Sequence, residues 1–314
     1  MSRNEAVRGA PSASGVPRAL NRKKGSKPSR RRSAAGLAMA APALGILALV
    51  VAIPLGVAVY QSLTDSSLTK VGPTEFVGTE NYTDRVATPE FGQAVFVTAA
   101  IMALSLAVQL PIGYWLALAL SRPARASRIM RTVITLPMML TPVAVGLMWR
   151  FLADPGLGVI RLVASWFDPD AMPNALGSEF GALMLVVLIN SWINIPLVTI
   201  LLLAGMMGIS EELYEAGRID GANRWQLRWH VTIPGIAPVI AVASVLRLAG
   251  DYRMFDLVYT VTRGGPGSAT RNLSMLAYQE ALVNYNTGRA SAMAVTMALL
   301  AVPAYVLYRR VTKL

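Results

Sequence analysis

Long runs of residues without charge dominate this chain and leave few folds open to it. A helix that crosses the hydrocarbon core of a membrane needs about 20 mostly apolar residues. A composition of 54% hydrophobic and 15% charged residues also lies outside the usual range of soluble proteins. The sequence therefore predicts an all-α membrane protein with six transmembrane helices. We place their approximate bounds at residues 34–61, 93–120, 132–152, 180–207, 236–260 and 290–309.

The fifth predicted span is the least regular of the six. Its apolar run is interrupted by Arg247 and by the segment Gly250-Asp-Tyr-Arg253, and it resumes at Phe255. Charged side chains inside a span are costly and usually turn inward or pair. We count the segment as one span and predict a kink or break near Gly250.

Basic residues set the predicted orientation. Lys and Arg near the ends of spans are retained on the cytoplasmic side. Twenty of the 29 fall in the first 32 residues, the connections at 122–131 and 208–233, and the C-terminus. Both termini are therefore predicted to be cytoplasmic. Residues 1–33, rich in Ser, Pro, Gly and Arg, are predicted to be a disordered basic tail, and residues 34–314 the transmembrane domain.

The net charge of +12 does not indicate a nucleic-acid-binding protein. The first 32 residues hold ten Lys or Arg and one acid, Glu5, which leaves only +3 for the rest of the chain. This tail has no aromatic residue to accompany its charge, as a nucleic-acid site would need. We interpret it as an orientation signal that is attracted to anionic lipid headgroups.

Residue types that carry enzyme chemistry are scarce. The chain has no Cys, and His230 is its single His, which excludes Cys-based metal sites and His clusters. The glycine-rich Gly264-Gly-Pro-Gly267 lacks the following Lys-Ser/Thr of a phosphate-binding loop. We predict no catalytic residue, no metal site and no cofactor bound by this chain.

The polar loop at residues 208–234 is predicted to fold as a helix-turn-helix, which we call the elbow. Ser210 is a capping residue before an acidic first turn. Asp220-Gly221 signals a turn, and a second short helix is predicted from Trp225 until Pro234. Its small residues and carboxylates would let another protein seat it closely, although any helical bundle also needs polar connectors.

The sequence of the elbow resembles a known motif. Glu215-Ala-Gly-x-x-Asp220-Gly-Ala222, followed by Ile233-Pro234, is similar to the EAA loop in permease subunits of binding-protein-dependent ATP-binding-cassette (ABC) importers. Gly217 stands where that family usually has alanine. The resemblance implies that the loop docks in a cleft of a cytoplasmic ATPase. The matching positions, and so the expected coupling residues, are Glu215, Ala216, Gly217, Asp220, Gly221 and Ala222.

The resemblance extends over nearly the whole chain beyond the tail. The segments Phe76–Tyr82, Trp149–Pro155 and Phe255-Asp256 with Gly264-Gly-Pro266 look like the sugar-transporter branch, which is similar to the maltose-type membrane subunits. The resemblance implies a multi-pass cell-membrane protein with the six-helix type I importer permease fold. It also implies a carbohydrate substrate (a sugar, oligosaccharide or polyol), a second homologous permease subunit, two ATPase subunits that bind ATP and Mg, and an extracytoplasmic solute-binding protein.

Polar side chains inside the spans mark a candidate path for the solute. Asn190 and Asn194 stack on one face of span four, and Arg247 can neutralise Asp251 one turn further along its own helix. Amides suit sugar hydroxyls because they both donate and accept, but they could equally hold helices together. In the resembled family the spans on either side of the coupling loop line the path. This favours Asn190, Asn194, Tyr252 and Asp256 as path residues.

Two other classes of protein stay open at this stage. An ion-gradient-driven secondary transporter would be expected to show an internal repeat with acidic ion sites in both halves, and neither is seen. A membrane scaffold that binds a cytoplasmic protein without transport would not need the polar residues within its spans.

Overall fold

The computed structural model of the chain describes residues 30–121, 125–166 and 174–311, so most of the predicted tail, up to residue 29, lies outside the described residues. Within those ranges the chain is helical, and one isolated antiparallel bridge joins Thr64 to Phe76. Thirteen α-helices occur there. They are α1 (Arg30–Ser62), α2 (Glu80–Arg85), α3 (Pro89–Leu120), α4 (Arg125–Thr135), α5 (Pro142–Leu152), α6 (Val159–Ala164), α7 (Glu179–Met207), α8 (Glu211–Ile219), α9 (Arg224–Leu227), α10 (Ile233–Tyr252), α11 (Asp256–Val261), α12 (Leu273–Tyr278) and α13 (Thr287–Val311).

Four helical segments of the described chain are long and apolar enough to cross a membrane. A bent helix pair raises the number to five if it forms one span, and α13 contributes a shorter apolar stretch, Thr287–Val302. The four segments are Ala41–Ser62, Pro89–Leu120, Glu179–Met207 and Arg224–Tyr252.

The predicted span at residues 132–152 is sharply bent. Helices α4 and α5 meet at 93°, and a 3₁₀ turn at Leu136–Met139 lies between them. Pro137 is the second residue of this turn and Pro142 begins α5. Each proline lacks the N–H that would continue a preceding helix, so the two together redirect the chain.

The second helix of the elbow is predicted to end at Pro234, and this prediction is wrong. The helix continues through Pro234 to Tyr252 and forms one segment of 29 residues from Arg224. A π-helical turn at Arg228–Thr232 ends two residues before Pro234. Such wide turns occur where a helix absorbs a local irregularity, and they explain how the helix passes a proline without stopping. At its other end the helix stops at Tyr252, and α11 begins at Asp256.

Helices α3 and α7 share the most extensive helix–helix packing among the described residues, and α10 packs against both. Their shared core contains Leu120, Leu202 and Ile236. Gly113 of α3 permits the close approach, because a Cβ there would lie 2.7 Å from Cγ1 of Val198 on α7. Small residues at such crossings let membrane helices gain van der Waals contact. A second core joins α3, α5, α7, α11 and α12 beyond the break.

Candidate functional site

A buried polar network joins α3, α7 and α10. Arg247 and Asp251 of α10 form an ion pair one helical turn apart. Asn190 of α7 donates from Nδ2 to Asp251 Oδ1 and to Ser105 Oγ, both at 3.0 Å. Arg247 Nε donates to Gln109 Oε1 at 2.9 Å. All five side chains are buried, so we call them the polar network.

The network leaves two polar atoms without a hydrogen-bond partner in the described part of the chain. They are Asp251 Oδ2, an acceptor, and Gln109 Nε2, a donor. Buried polar atoms are nearly always satisfied, and an exception needs an explanation. Of the two residues, Asp251 also lines a cavity, where a ligand hydroxyl could donate to its carboxylate.

A cavity of about 410 Å³ opens beside the network where α10 gives way to α11. We call it the break cavity. Its size falls in the range of small-molecule sites. Its polar lining includes Asn190, Asn194, Asp251 and Asp256. Three of the four path residues predicted from the sequence therefore line one cavity, and their contact with a solute stays a prediction.

Tyr252, the fourth predicted path residue, lies apart from the lining of the break cavity. Its side chain packs against the hydrophobic cluster that contains Phe91 and Met293, and its hydroxyl donates to the carbonyl of Met297 at 2.7 Å. Tyr252 follows Asp251 directly, so the two side chains point to different sides of α10. Its role as a path residue stays a prediction.

Two members of the polar network, Ser105 and Gln109, are not predicted from the sequence. Each stands alone in the long apolar run of α3, where a single neutral polar residue is a weak signal. Their spacing of four residues, which places them on one helical face, is the signal that could have found them.

An aromatic cluster extends from the break cavity. Phe255 lines the cavity and stacks on Tyr259, with ring centroids 5.3 Å apart and planes 25° apart. Tyr278 contacts Phe255 at a centroid distance of 4.8 Å and Tyr259 at 5.2 Å. The three rings form a continuous apolar surface that leads away from the break.

The elbow presents a second concave surface, of about 460 Å³. Helix α8 ends at a turn in which Gly221 has a φ of +79°, and Asn223 then caps α9 through a capping box with Gln226. Five of the six predicted coupling residues line this surface, namely Ala216, Gly217, Asp220, Gly221 and Ala222. Glu215 lies on the same helix with its side chain exposed.

Gly217 has a packing role within the elbow. A Cβ at this position would lie 2.6 Å from Cδ2 of Leu227, so α8 rests closely on α9. Tyr214 fixes the same helix to the π-helical turn, because its hydroxyl lies 3.1 Å from Thr232 Oγ1. Arg228 also stacks over the ring of Trp115 on α3, 5.1 Å from its centroid, which joins the elbow to the span.

Comparison with known proteins gives consistent results. Residues 109–313 match the family described as "Binding-protein-dependent transport system inner membrane component". The chain is 30% identical over 263 residues to the trehalose/maltose transport system permease protein MalF of Thermococcus litoralis, a match that covers 84% of this chain and 87% of the relative. It is 31% identical over 271 residues to the trehalose transport system permease protein SugA of Mycobacterium tuberculosis, covering 86% and 85%.

Among solved structures, the fold is similar to a chain of a bacterial ABC transporter involved in the import of the acidic polysaccharide alginate. The TM-score is 0.75 at 22% identity, and the match covers 90% of this chain and 96% of the other. At this identity the likeness concerns the fold alone. The family match and the two relatives, each of which covers more than 80% of this chain, show more than the fold. On this evidence the chain belongs to the family of binding-protein-dependent transport system inner membrane components.

Proposed function

We propose that this chain is a permease subunit of an ATP-driven importer, and that with a second homologous permease it forms the path for a carbohydrate. The observation that carries the proposal is the polar network beside the break cavity. A buried acceptor on Asp251, which lines this cavity, lacks a partner in the described chain. Two amides, Asn190 and Asn194, line the same cavity, and the relatives named above transport trehalose or maltose by their descriptions.

The mixed polar and apolar lining of the cavity supports a polyhydroxylated solute over an apolar compound. Asn190 and Asn194 offer donors and acceptors together, while Phe255 and Ile193 offer apolar surface on the same walls. Binding sites for small molecules combine such surface with a few oriented polar groups. A sugar, oligosaccharide or polyol has both kinds of surface.

The elbow is the proposed contact with the ATPase subunits. Its concave surface is lined by small residues and by Asp220, and Glu215 is exposed beside it. Carboxylates there can accept charge-assisted hydrogen bonds from a partner's Arg or from backbone N–H groups. In this proposal ATP and Mg are bound by the partner ATPases, and this chain is a non-catalytic subunit without a cofactor of its own.

The proposed topology has six transmembrane helices with both termini in the cytoplasm. It counts the bent pair α4–α5 as the third span, the broken pair α10–α11 as the fifth, and α13 as the sixth. The asymmetry of Lys and Arg supports this orientation. An extracytoplasmic solute-binding protein would then deliver the solute to the side of the chain opposite the elbow.

The two alternative classes have less support. Neither an ion-gradient transporter nor a transport-free scaffold would be expected to belong to a family of binding-protein-dependent transport components, and this chain belongs to one.

Affinity purification in mild detergent tests the proposal. The tagged chain should co-purify with an ATPase and a second permease, and Glu215→Lys should weaken retention of the ATPase while the permease partner stays bound. Glu80→Lys is the matched control, because Glu80 is an exposed acid at the start of α2. A chain that is recovered without any ATPase would contradict the importer.

A further inference from the structure

The loop between α11 and α12 is held closed by two threonines. The hydroxyls of Thr262 and Thr270 lie 2.7 Å apart, and Thr270 also donates to the Gly265 carbonyl at 3.0 Å. Two arginines stand at the ends of this closed loop. Arg263 follows Thr262 and has a φ of +55°, and Arg271 follows Thr270.

The two ends of the loop are in contact. A Cβ on Gly264 would lie 3.3 Å from the Cβ of Arg271, so the backbone next to Arg263 touches the stem of Arg271. Non-glycine residues rarely adopt this left-handed conformation. Strained residues of this kind concentrate at functional sites.

Both arginines line a cavity of about 500 Å³, which we call the arginine cavity. Its other walls include Tyr259, Tyr278, Gln279 and Asn284. No ion pair to either arginine occurs among the described residues. The buried acid closest in sequence, Glu280, is already paired with Arg85 at 3.0 Å and with Arg289 at 4.0 Å.

These walls suit a sugar that carries a negative charge. A guanidinium presents a planar fork of donors that matches a carboxylate in two parallel hydrogen bonds. The faces of Tyr259 and Tyr278 offer apolar surface for a sugar ring, and the amide of Gln279 can meet hydroxyls. A neutral sugar would leave two cationic groups in the cavity without a counter-charge.

The aromatic cluster connects the arginine cavity to the break cavity. Tyr259 and Tyr278 line the first cavity, Phe255 lines the second, and the three rings are in mutual contact. A ring bound on the tyrosines can therefore pass to Phe255 while it stays in contact with aromatic surface.

We propose that the arginine cavity is a second carbohydrate subsite, selective for a sugar residue with an anionic group, which Arg263 and Arg271 bind before the sugar reaches the break cavity. The proposal rests on the proposed function in taking a carbohydrate as the solute. It adds a location and a charge preference that the break cavity does not supply.

Equilibrium binding to the chain purified with its native partners in lipid nanodiscs, without the solute-binding protein, tests this subsite. The probes are radiolabelled trigalacturonate, which is acidic, and maltotriose, which is neutral. We expect trigalacturonate to bind at least about tenfold more tightly. The double variant Arg263→Gln/Arg271→Gln should lose about tenfold or more of that affinity, as expected for a lost charge-assisted hydrogen bond. The double Lys variant should recover part of it.

Arg161→Gln is the matched control, because Arg161 lies on α6, does not line the arginine cavity and donates to the Gly156 carbonyl. Its affinity for both probes should equal that of the wild type. Equal affinity of the wild type for the two trisaccharides, or an unchanged affinity of the double Gln variant for trigalacturonate, overturns the subsite. A double Gln variant that keeps its affinity for trigalacturonate but loses stimulation of ATP hydrolysis by the binding protein also overturns the subsite, because the arginines would then belong to a protein docking surface.

ATPase activity of the same preparation separates the two proposals. If the binding protein stimulates ATP hydrolysis but the acidic probe shows no preference, the importer stands and the subsite falls. If no ATPase is present in the preparation, the proposed function falls on that result alone, and the affinities for the two probes still decide whether the arginines bind acidic sugars.

Discussion

Arg247 and Asp251 lie one turn apart on α10 and pair with each other inside the protein, where both side chains are buried. Asn190 and Gln109 add one hydrogen bond to each member of the pair. Three helices therefore meet at one pair of opposite charges, beside a cavity, and removing either charge would leave the other without compensation.

Asp251→Ala should destabilise the protein strongly. Breaking a buried ion pair by removing one partner costs about 3–5 kcal/mol, because it leaves an uncompensated charge. The double variant Arg247→Leu/Asp251→Leu removes both charges and should recover much of the stability while transport stays low. Thermal unfolding in detergent checks the first effect and solute uptake the second. A single variant as stable as the wild type would show that the pair is not what holds these helices.

Asn190→Ala should impair uptake more than Asn194→Ala. Asn190 bonds to two other helices, through Ser105 and Asp251, whereas the amide of Asn194 donates only to Asn190 on its own helix. Both variants should still assemble with the partner subunits. Uptake assays normalised to the amount of complex in the membrane make the comparison, and normal uptake in both would remove them from the path.

Gly113→Ala should destabilise the α3–α7 packing by about 1–3 kcal/mol, the usual range for overpacking. Its Cβ would crowd Val198. Gly92→Ala in the same helix is the matched control, since no atom lies within 4 Å of a Cβ there, and alanine should stabilise α3 by up to about 1 kcal/mol. Melting temperatures of the two variants should move in opposite directions. A shift of the same sign in both would contradict the close approach.

Gly221→Ala should weaken the association with the ATPase more than Gly217→Ala. The backbone of Gly221 has a φ of +79°, which costs an alanine about 1–2 kcal/mol and distorts the turn between α8 and α9. At Gly217 an alanine meets only the end of the Leu227 side chain, which can rotate away. Retention of the ATPase on the tagged chain measures both, and equal retention would show that the turn does not shape the docking surface.

Several features of this fold can be predicted from the sequence because they depend on composition and local signals. The charge-free runs mark α1, α3 and α7, and the Asp220-Gly221 signal lies at the end of α8 as the structure has it. These patterns are local: they need only a count of apolar residues or the preference of glycine for positive φ.

Other features depend on packing between distant segments, which a single sequence does not display. The 93° bend between α4 and α5 and the continuation of the helix through Pro234 are set by how prolines are accommodated in three dimensions. The polar network illustrates the same limit. Asn190 and Asp251 stand out as polar residues in spans, but their contact at 3.0 Å requires the relative rotation of two helices.

The uninterrupted helix from Arg224 to Tyr252 makes the elbow and the polar network two ends of one rod. At 1.5 Å per residue, Leu227 and Asp251 are about 36 Å apart along its axis. If the segment moves as one body and pivots near the elbow, a tilt of about 10° imposed at Leu227 would displace Asp251 by about 6 Å. That distance exceeds the reach of a hydrogen bond. Such a tilt alone would therefore break the contact between Asp251 and Asn190, without any change in the chemistry of either residue.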